Sequence, residues 1–555
     1  MDTSNDDWPS KHLLNVDDTL TSKSLDEASR GYLQAEAVCK SWGLTSDDVA
    51  RLTPKFWRIH LDPIWTCSGP AFTIMAIQYN LVVGTLRMFS KGRSDLRAII
   101  DDLMVYKALG LFLLSEVGHG LDIANLRTTA TLLPGGGFEL HTTSSLAAKY
   151  MPPTVPVLGK PAFGIVWAKL IINGEVTGIR PFLVKINDGK DMYKGISARV
   201  LPRRNGSSPL NHAITTFHRV RLPPSALLGE LDNSVDVRLS LWRVGVGAIS
   251  LSAIAITCLK VSSSTVYRYS LRRHVGVPRP VPIISFRTQQ IPIFTAVAQA
   301  YAFEALLKTC IQNFMDDSAG FQTRHAVATI FKAMVIEPAL KTHYDLSVRC
   351  GAQGLFDYNQ VISFFSNMRG ISIAEGDVLV LCIRLASELL LGRYSIPEML
   401  DSSSLLAKHE SALFNKYTAM VEEHGHRGDH YRSFILPQSQ TIIESIGHRM
   451  AYDAAATQGV PQALIDLYEC YAIKRDVGWY IEAGVLTQDQ VVSIEDRAMK
   501  AAFPHMSQWV DSMGVSDYLK APILSEDRWD KFVDGLPSIG VEEKGLTNVV
   551  YQARL

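Results

Sequence analysis

The spacing of apolar residues changes twice along the chain. From about residue 20 to 114, apolar side chains recur at helical spacing, as in residues 95–104, which predicts helices. From about residue 115 to 231, β-branched and aromatic runs are separated by turn signals such as Asn173-Gly174, which predicts a mainly antiparallel sheet. After Asp236 the helical spacing returns and persists. The chain is therefore predicted to be an α+β protein, mainly α, with helical regions on both sides of one β region.

Particular segments carry these predictions. The predicted strands cover residues 128–133, 164–172 and 182–186. The predicted helices include residues 291–307, 326–346, 378–391 and 463–481. The longest uncharged stretch, residues 244–259, is diluted by glycine and serine and is shorter than the roughly 20 residues that span a bilayer. It is predicted to be a buried helix of a bundle.

Size and charge narrow the classes of function. A chain of 555 residues is too long for one core, and the usual domain size suggests about three or four domains. The 55 basic and 55 acidic residues cancel, so no net field draws the protein to nucleic acid or to an anionic membrane. The seven cysteines lack the spacing of a zinc site or a disulfide framework, which is typical of a reducing compartment. The expected partner is a small molecule or another protein.

The two ends of the chain bear on its location. Residues 1–7 are acidic and polar, whereas a secretory signal needs a basic start and an apolar run. The last three residues, Ala553-Arg554-Leu555, have the small, basic, leucine pattern of a peroxisomal import tripeptide. We therefore expect a peroxisomal protein, or a cytoplasmic one if the tripeptide is not recognised.

Two glycine-containing segments are candidates for ligand contact. Ser115-Glu-Val-Gly-His-Gly120 lies where helices give way to strands. Its glycines either form a tight interdomain turn or let backbone N–H groups approach a polar ligand. Cys350-Gly-Ala-Gln-Gly354 follows a predicted helix and either caps it or cradles a pyrophosphate. The local sequence leaves both pairs of alternatives open.

Glu375 is the candidate catalytic base. It stands in Ile373-Ala-Glu-Gly-Asp377, just before an apolar helix. Apolar neighbours would desolvate the carboxylate and raise its pKa towards the range in which a base acts near neutrality. The alternative is an acidic helix start, in which the helix dipole favours Glu375 and Asp377.

His424, His426 and His430 have a spacing that could chelate a metal. The charged residues around them favour a solvated loop, so no metal is assigned.

Taken in order, several segments resemble the acyl-CoA oxidase branch of the acyl-CoA dehydrogenase superfamily. Residues 115–120, followed by Leu126-Arg-Thr-Thr-Ala-Thr131, are similar to the oxidase patterns Thr-Glu-Leu-Gly-His-Gly and Leu-Glu-Thr-Thr-Ala-Thr. Phe286-Arg-Thr-Gln-Gln290 and Ala300-Tyr-Ala-Phe303 are similar to Phe-Gln-Thr-Gln-Gln and Ala-Tyr-Ala-Phe. Arg272-Arg-His-Val-Gly276 resembles the superfamily's Arg-x-x-Phe-Gly. The resemblance runs from about residue 61 to 497.

The fold implied by the resemblance has four parts. It consists of an N-terminal α-helical domain, a middle β-barrel, a four-helix bundle and an extra helical domain that oxidases carry, to which residues 464–472 and 484–486 are similar. The predicted boundaries give domains at residues 1–114, 115–234, 235–400 and 401–555.

The resemblance implies FAD as the cofactor. Ser115 would place a hydroxyl and a backbone group near the flavin ring, in place of the oxidases' threonine, with Gly118 and Gly120 in the same segment.

Other positions would contact the rest of the cofactor. Arg272 and Gln289 would contact the FAD phosphates or adenosine, and Gly351 and Gly354 would pack against the pyrophosphate. Because those last contacts cross a subunit boundary in this superfamily, a homodimer is implied.

Glu375 matches the catalytic glutamate that the family carries in Phe-Glu-Gly-Glu-Asn. The resemblance implies that it takes the α proton of an acyl-CoA or other acyl thioester while the flavin accepts the β hydride. Electrons would then pass to O2 and give hydrogen peroxide.

The chain departs from the family pattern near the flavin. Lys149-Tyr-Met-Pro-Pro153 replaces Lys-Trp-Trp-Pro-Gly, and Pro153 has no N–H to offer. About two extra residues precede Gly159, where a shifted loop could supply another donor. Gly351-Ala-Gln-Gly-Leu355 replaces Gly-Gly-His-Gly-Tyr, and Val378 replaces an asparagine.

Two alternatives to an O2-using oxidase stay open. One is a flavin desaturase of specialised metabolism that acts on an unusual or carrier-bound acyl group and passes electrons to a protein. The other is a catalytically idle partner subunit, against which the presence of Glu375 argues.

Overall fold

The computed structural model describes residues 8–15, 26–207, 210–231 and 241–540. Two features predicted from the sequence, the domain boundary at residues 234–235 and the C-terminal tripeptide Ala553-Arg554-Leu555, lie outside these residues.

Helices occupy both flanks of the described chain. Those before the sheet are α1 Glu27–Trp42, α2 Ser46–Arg51, α3 Pro54–Ile59, α4 Gly69–Met75, α5 Gly84–Met88 and α6 Ser94–Met104. Those from residue 241 to 390 are α7 Trp242–Ser250, α8 Ile254–Arg272, α9 Arg287–Met315, α10 Phe321–Arg349, α11 Val361–Ile373 and α12 Val378–Leu390. The remainder are α13 Leu405–His424, α14 Ser439–Thr457, α15 Gln462–Arg475, α16 Val477–Glu482, α17 Gln488–Ala502, α18 Met506–Asp511 and α19 Glu526–Asp534. A π-helical stretch, Ala76–Val83, joins α4 to α5.

The strands lie almost entirely between the two helical regions. They are β1 Leu109–Leu113, β2 Thr129–Leu132, β3 Phe138–His141, β4 Lys149–Tyr150, β5 Ala162–Ile172, β6 Glu175–Asn187, β7 Ile196–Val200, β8 Ala213–Phe217 and β9 Val220–Leu222, with a short pair β10 His274–Val275 and β11 Val281–Pro282. A six-stranded sheet has the order β1-β5-β2-β3-β9, with β6 paired to β5, and a three-stranded sheet has the order β4-β8-β7. The fold class predicted from the sequence, α+β and mainly α, is confirmed.

Turn chemistry explains the longest hairpin. Asn173 and Gly174 join β5 to β6, and both have a left-handed backbone, with φ of 52° and 85°. Two such residues make the tight turn whose twist matches antiparallel strands.

Two sequence predictions need correction. Residues 109–113, predicted as part of the helical region, form β1, because a short apolar run fits a buried strand as well as a buried helix and here pairs in parallel with β5. A second strand, β2, also pairs in parallel with β5, but the other pairs of β2 to β9 are antiparallel, so the prediction of a mainly antiparallel sheet agrees with the structure. The helix predicted over residues 463–481 breaks at Asp476, whose extended φ of −140° separates α15 from α16.

The apolar helix pair α7 and α8 lies at the centre of the bundle. The span Trp242–Arg272 has the length and apolar composition of a membrane-crossing helix, but 83% of its most apolar window is buried inside the protein. Late segments of the chain cover it: Arg268 pairs with Asp511 at 2.8 Å, and Arg272 donates to the carbonyl of Ile523 at 3.0 Å. The predicted interpretation as a bundle helix agrees with this packing.

Candidate active site

Glu375 lies in the short turn between α11 and α12. Its φ is +57° and that of Gly376 is +101°, so two consecutive residues have a left-handed backbone. A residue with a Cβ adopts this conformation at a cost, and such strain is concentrated at functional sites. Asp377 is the N-cap of α12, and its carboxylate accepts from the N–H of Val380 at 3.2 Å. The helix start is therefore formed by Asp377, and the Glu375 carboxyl group is not used for capping.

The Glu375 carboxyl group rests against α7 at Gly247. A Cβ built on Gly247 would lie 1.3 Å from Oε2 of Glu375, so only glycine leaves room for the carboxyl group there. Oε2 is enclosed and has no hydrogen-bond partner among the described residues. An enclosed oxygen without a partner is costly in a folded protein, which is typical of a group kept for chemistry rather than for stability.

Lys332 of α10 holds the backbone on both sides of Glu375. Its side chain is almost fully buried. The ammonium group donates to the carbonyl of Ala374 and to that of Gly376, the latter at 2.5 Å. One cation of the bundle thus fixes the turn that carries the candidate base.

Arg243 of α7 is a second buried cation near Glu375. Its Nε donates to the carbonyl of Asn80 at 3.0 Å, and the Asn80 amide donates back to the Arg243 carbonyl at 2.9 Å. The guanidinium group lies 5.5 Å from the ring centre of Phe56 and fills the space above Gly84, where a Cβ would be 2.1 Å from Nε. Nη2 has no partner among the described residues.

The surroundings shift the pKa values of these groups in opposite directions. Burial raises the pKa of Glu375, and the nearby charges of Lys332 and Arg243 oppose this without cancelling it. Burial lowers the pKa of Lys332, against the effect of Glu375 and Asp377. A carboxyl group with a raised pKa can both accept and release a proton near neutral pH, as a general base must.

The segment that begins at Ser115 is built around a buried ion pair. Lys149 and Glu116 are both inaccessible to solvent, with Nζ and Oε1 3.1 Å apart. The Glu116 carboxylate also accepts from the N–H groups of Arg127 and Thr128, and Lys149 donates to the carbonyl of Trp167. Burial lowers the pKa of Lys149 to about 8, although Glu116 acts against it. The pair links β4, β5 and the start of β2, so these two charged residues have a structural role.

The predicted flavin-side residues lie around this ion pair. The Ser115 carbonyl accepts from the N–H of Tyr150, and the N–H of Gly118 donates to Leu146 at 2.8 Å. Gly118 packs closely, since a Cβ would lie 2.9 Å from Leu146, whereas Gly120 is exposed with open space above it. The structure thus brings Ser115 and the segment ending at Pro153 together.

Gly159 is at the tip of a separate turn. Its φ is +65°, and a Cβ built there meets nothing within 4 Å. The turn is closed by the N–H of Lys160, which donates to Val157 at 3.2 Å.

The predicted phosphate-side residues form another cluster at the C-terminal end of α10. Gln289 donates to Ser270 at 2.9 Å and to the Arg349 carbonyl at 3.1 Å. Gly351 has φ of +60° with open space around it. Gly354 is instead required by packing, because a Cβ would lie 1.8 Å from the Ser347 carbonyl oxygen. The glycine-containing segment therefore packs on the end of α10 and leaves one glycine exposed, and contact with a pyrophosphate stays a prediction.

Arg272 and Glu375, two other predicted site residues, make their contacts outside this cluster. The Arg272 guanidinium reaches the Ile523 carbonyl rather than Gln289. Lys332, which holds Glu375, precedes the end of α10 at Arg349 by almost five turns, or about 25 Å of helix at 1.5 Å per residue. Within one chain, the candidate base and the phosphate-side cluster are therefore well separated.

Comparisons with known proteins find similarity to acyl-CoA oxidases. The family model described as "Acyl-CoA oxidase, C-alpha1 domain" matches residues 247–390, which include Lys332, Gly351 and Glu375. The chain is 25% identical over 333 residues to peroxisomal acyl-coenzyme A oxidase 3 of Homo sapiens, covering 53% of this chain and 47% of that one. It is 26% identical over 387 residues to acyl-coenzyme A oxidase acox-1.4 of Caenorhabditis elegans, covering 62% and 54%. The chain thus aligns with about half the length of these relatives.

Solved structures share the fold over nearly the whole chain. Acyl-CoA oxidase 1 of Yarrowia lipolytica has a TM-score of 0.78 at 16% identity and covers 98% of this chain and 96% of its own. Acyl-CoA oxidase-1 of Caenorhabditis elegans, complexed with FAD and ATP, has a TM-score of 0.69 at 16% identity, with 89% and 87% covered. All the comparisons point to the acyl-CoA oxidase branch of the acyl-CoA dehydrogenase superfamily.

Several residues of this candidate site were missed by sequence reasoning. Lys332 had a local signal, because it is the single charge in the apolar run of residues 326–336 and charged residues are rarely buried without a task. Arg243 and Gly247 had no such local signal, because their roles depend on which residues α7 contacts in the fold.

The histidine cluster lies away from Glu375 and its neighbours. The rings of His424 and His430 are tilted by 38° with their centres 3.8 Å apart, and His426 instead contacts Ser387. No group of three or more metal-ligating side chains is arranged to hold an ion within the part of the chain that the structure describes.

Proposed function

We propose that this protein is an FAD-dependent acyl-CoA oxidase, which introduces an α,β double bond into an acyl thioester and passes the electrons to O2. The observation that carries the proposal is the enclosed, unpartnered carboxyl oxygen of Glu375, set beside two buried cations in an acyl-CoA oxidase fold. The balanced reaction converts an acyl-CoA and O2 into an enoyl-CoA and hydrogen peroxide.

Glu375 is proposed to take the α proton. Its raised pKa makes it a strong enough base near neutrality, and the C–H next to a thioester is acidic because the carbonyl stabilises the resulting negative charge. In the same proposal the Glu375 N–H helps to hold the thioester oxygen, because a fixed donor stabilises the oxyanion as charge develops. Lys332 keeps this N–H and the carboxyl group in place through the neighbouring carbonyls.

The residues present are compatible with FAD. When bound, FAD would accept the β hydride and pass the electron pair on to O2. Ser115, Gly118, Gly120 and Gly159 are proposed on the flavin side, where Gly120 and Gly159 leave space that any Cβ would fill. The crystal structures of two Caenorhabditis elegans relatives are complexed with FAD, which supports the choice of cofactor.

The phosphate-side residues are proposed to act across a dimer. Arg272, Gln289, Gly351 and Gly354 are assigned to the FAD phosphates and adenosine of the partner subunit. The separation of about 25 Å along α10 between Lys332 and Arg349 supports this assignment, since one chain keeps the two clusters apart.

Exposed apolar residues near Gly351 support a homodimer as well. Leu355 is 75% and Phe356 is 49% exposed, and unpaired apolar surface of this kind marks an interface. Light scattering should give twice the chain mass of 61.4 kDa. Leu355→Asp should shift the protein towards the monomer and lower its FAD content. Ile539→Asp, at an apolar residue that is fully exposed at the end of the described chain, should do neither. A wild-type monomer with full FAD content would contradict the dimer.

A peroxisomal location is also proposed. Curated relatives from Homo sapiens and Arabidopsis thaliana are named peroxisomal acyl-coenzyme A oxidases, and Ala553-Arg554-Leu555 has the form of an import tripeptide.

Anaerobic reduction followed by air tests the central proposal. The purified protein should be yellow, and a set of acyl-CoAs of different length and branching should include one that bleaches the flavin and loses two hydrogens by mass spectrometry. Admitting air should restore the colour and give one hydrogen peroxide per enoyl product. Reduction with slow reoxidation and no peroxide would favour the protein-acceptor desaturase instead. A colourless protein that refuses added FAD would overturn the proposal.

A further inference from the structure

We propose that Lys332 is a positioning residue for the proposed base: its ammonium group fixes the turn that carries Glu375 and places a positive charge beside the carboxylate. This inference rests on the proposed function and assigns a second residue to that same site.

The backbone geometry gives the first reason. Lys332 donates to the carbonyls of Ala374 and Gly376, which are the residues immediately before and after Glu375. Those carbonyls lie in the gap between α11 and α12, where helix hydrogen bonds do not satisfy them. Because Glu375 and Gly376 both have positive φ, the turn needs an outside contact to keep it in this conformation. A single ammonium group that bridges the two carbonyls provides that contact.

The charge of Lys332 gives the second reason. Lys332 is 1% exposed, and its ammonium group donates to two backbone carbonyls rather than to a carboxylate. The acidic groups that act on it are Glu375 and Asp377. From the other side, Arg243 of α7 is the second cation that acts on Glu375. A positive charge near a carboxylate favours its ionised, proton-accepting form.

A purely structural role makes a different prediction. A lysine that only ties α10 to the turn would affect stability and FAD content, but not the pH at which the base becomes active. Lys260 of α8 offers a matched control, because it is also largely buried in the bundle and pairs with Glu304 at 2.9 Å. Removing either lysine takes one cation out of the same bundle, and only Lys332 contacts the turn.

The experiment measures proton removal without oxidation. The probe is 3,3-dimethylbutanoyl-CoA, whose β carbon carries no hydrogen, so exchange of its α hydrogens in D2O reports the base alone. Proton NMR follows the exchange with the FAD-loaded wild type, Lys332→Met, Lys332→Gln, Lys260→Met and Glu375→Gln across a range of pH. Thermal stability and FAD content are recorded for every variant.

The charges of Glu375 and Lys332 set the direction in which the exchange rate should change with pH. The ionised carboxylate is the active form, so the exchange rate rises with pH through the pKa of Glu375. Loss of the Lys332 cation favours the neutral form of Glu375. In Lys332→Met and Lys332→Gln, the acidic limb of the curve of exchange rate against pH should therefore move to higher pH by about one unit or more. The rate on the plateau should fall by about tenfold or more in Lys332→Met, because the released turn misplaces the carboxyl group. Lys332→Gln keeps an N–H donor and should lose less.

Each outcome decides the question. An unshifted limb with a wild-type plateau in Lys332→Met overturns the inference; if that variant does not fold, an unshifted limb in Lys332→Gln overturns it. An equal shift in Lys260→Met also overturns it, since any buried cation would then suffice. Wild-type exchange that is lost in Glu375→Gln but unaffected at Lys332 leaves the proposed function standing. No exchange in the wild type, together with no flavin reduction by any acyl-CoA, contradicts the proposed function, and the inference falls with it.

Discussion

Replacing Glu375 with glutamine should leave a folded, yellow protein whose turnover is reduced about a hundredfold to ten-thousandfold, the range over which a general base contributes to a rate. Glutamine has nearly the same shape but cannot accept the α proton. Oε2 has no hydrogen-bond partner among the described residues, so its replacement breaks no contact of the fold. Stopped-flow measurement of flavin reduction by an acyl-CoA gives the rate, and absorbance gives the FAD content.

Glu469→Gln is the matched control for this variant. Burial, with Asp466 nearby, raises the pKa of Glu469 to about 7, so it too is a desolvated carboxyl group, but it lies on α15. Turnover of this control should equal that of the wild type. If Glu375→Gln also kept its full activity, Glu375 would not be the base.

Gly247→Ala should lower the rate of flavin reduction by about tenfold to a hundredfold without preventing folding. The added methyl group would lie 1.3 Å from Oε2 of Glu375, so the carboxyl group must move away. A shift of about 1 Å at a reacting group can reduce a rate by roughly a hundredfold. Alanine is also the better helix former, so α7 itself should not be weakened.

Gly245→Ala separates the two effects of a methyl group on α7. Gly245 belongs to the same helix, yet a Cβ built there meets nothing within 4 Å. This variant should retain wild-type kinetics and an equal or higher melting temperature. Equal loss of activity in Gly245→Ala and Gly247→Ala would show that helix flexibility, rather than the position of the carboxyl group, controls the rate.

Local sequence patterns predict an element well when its apolar residues have a regular spacing or when its turn residues are distinctive. The helix expected at residues 95–104 is α6, and the turn residues Asn173 and Gly174 lie where β5 meets β6. The pattern fails for β1, because five apolar residues have no periodicity that separates a strand from a helix. Only the parallel partner β5, far along the chain, decides between them.

The site shows the same limit. Glu375 was identifiable because it stands beside apolar residues and in a family-like segment. The residues that contact Glu375 or act on its pKa come from α7 and α10, which are distant in sequence, and no pattern states which helix will lie against the turn. Gly247 has no side chain to attract notice, and its role appears only when the carboxyl group is placed on it.

The C-terminal end of the Trp242–Arg272 span contacts residues that are made much later. Asp511 pairs with Arg268 and the Ile523 carbonyl accepts from Arg272, and more than two hundred residues separate these partners in the sequence. During synthesis, an apolar segment with the composition of a membrane-crossing helix therefore leaves the ribosome long before these partner residues have been made. Until those residues are synthesised, the nascent chain exposes apolar surface at this end of the span. Such surface binds chaperones or aggregates with neighbouring chains.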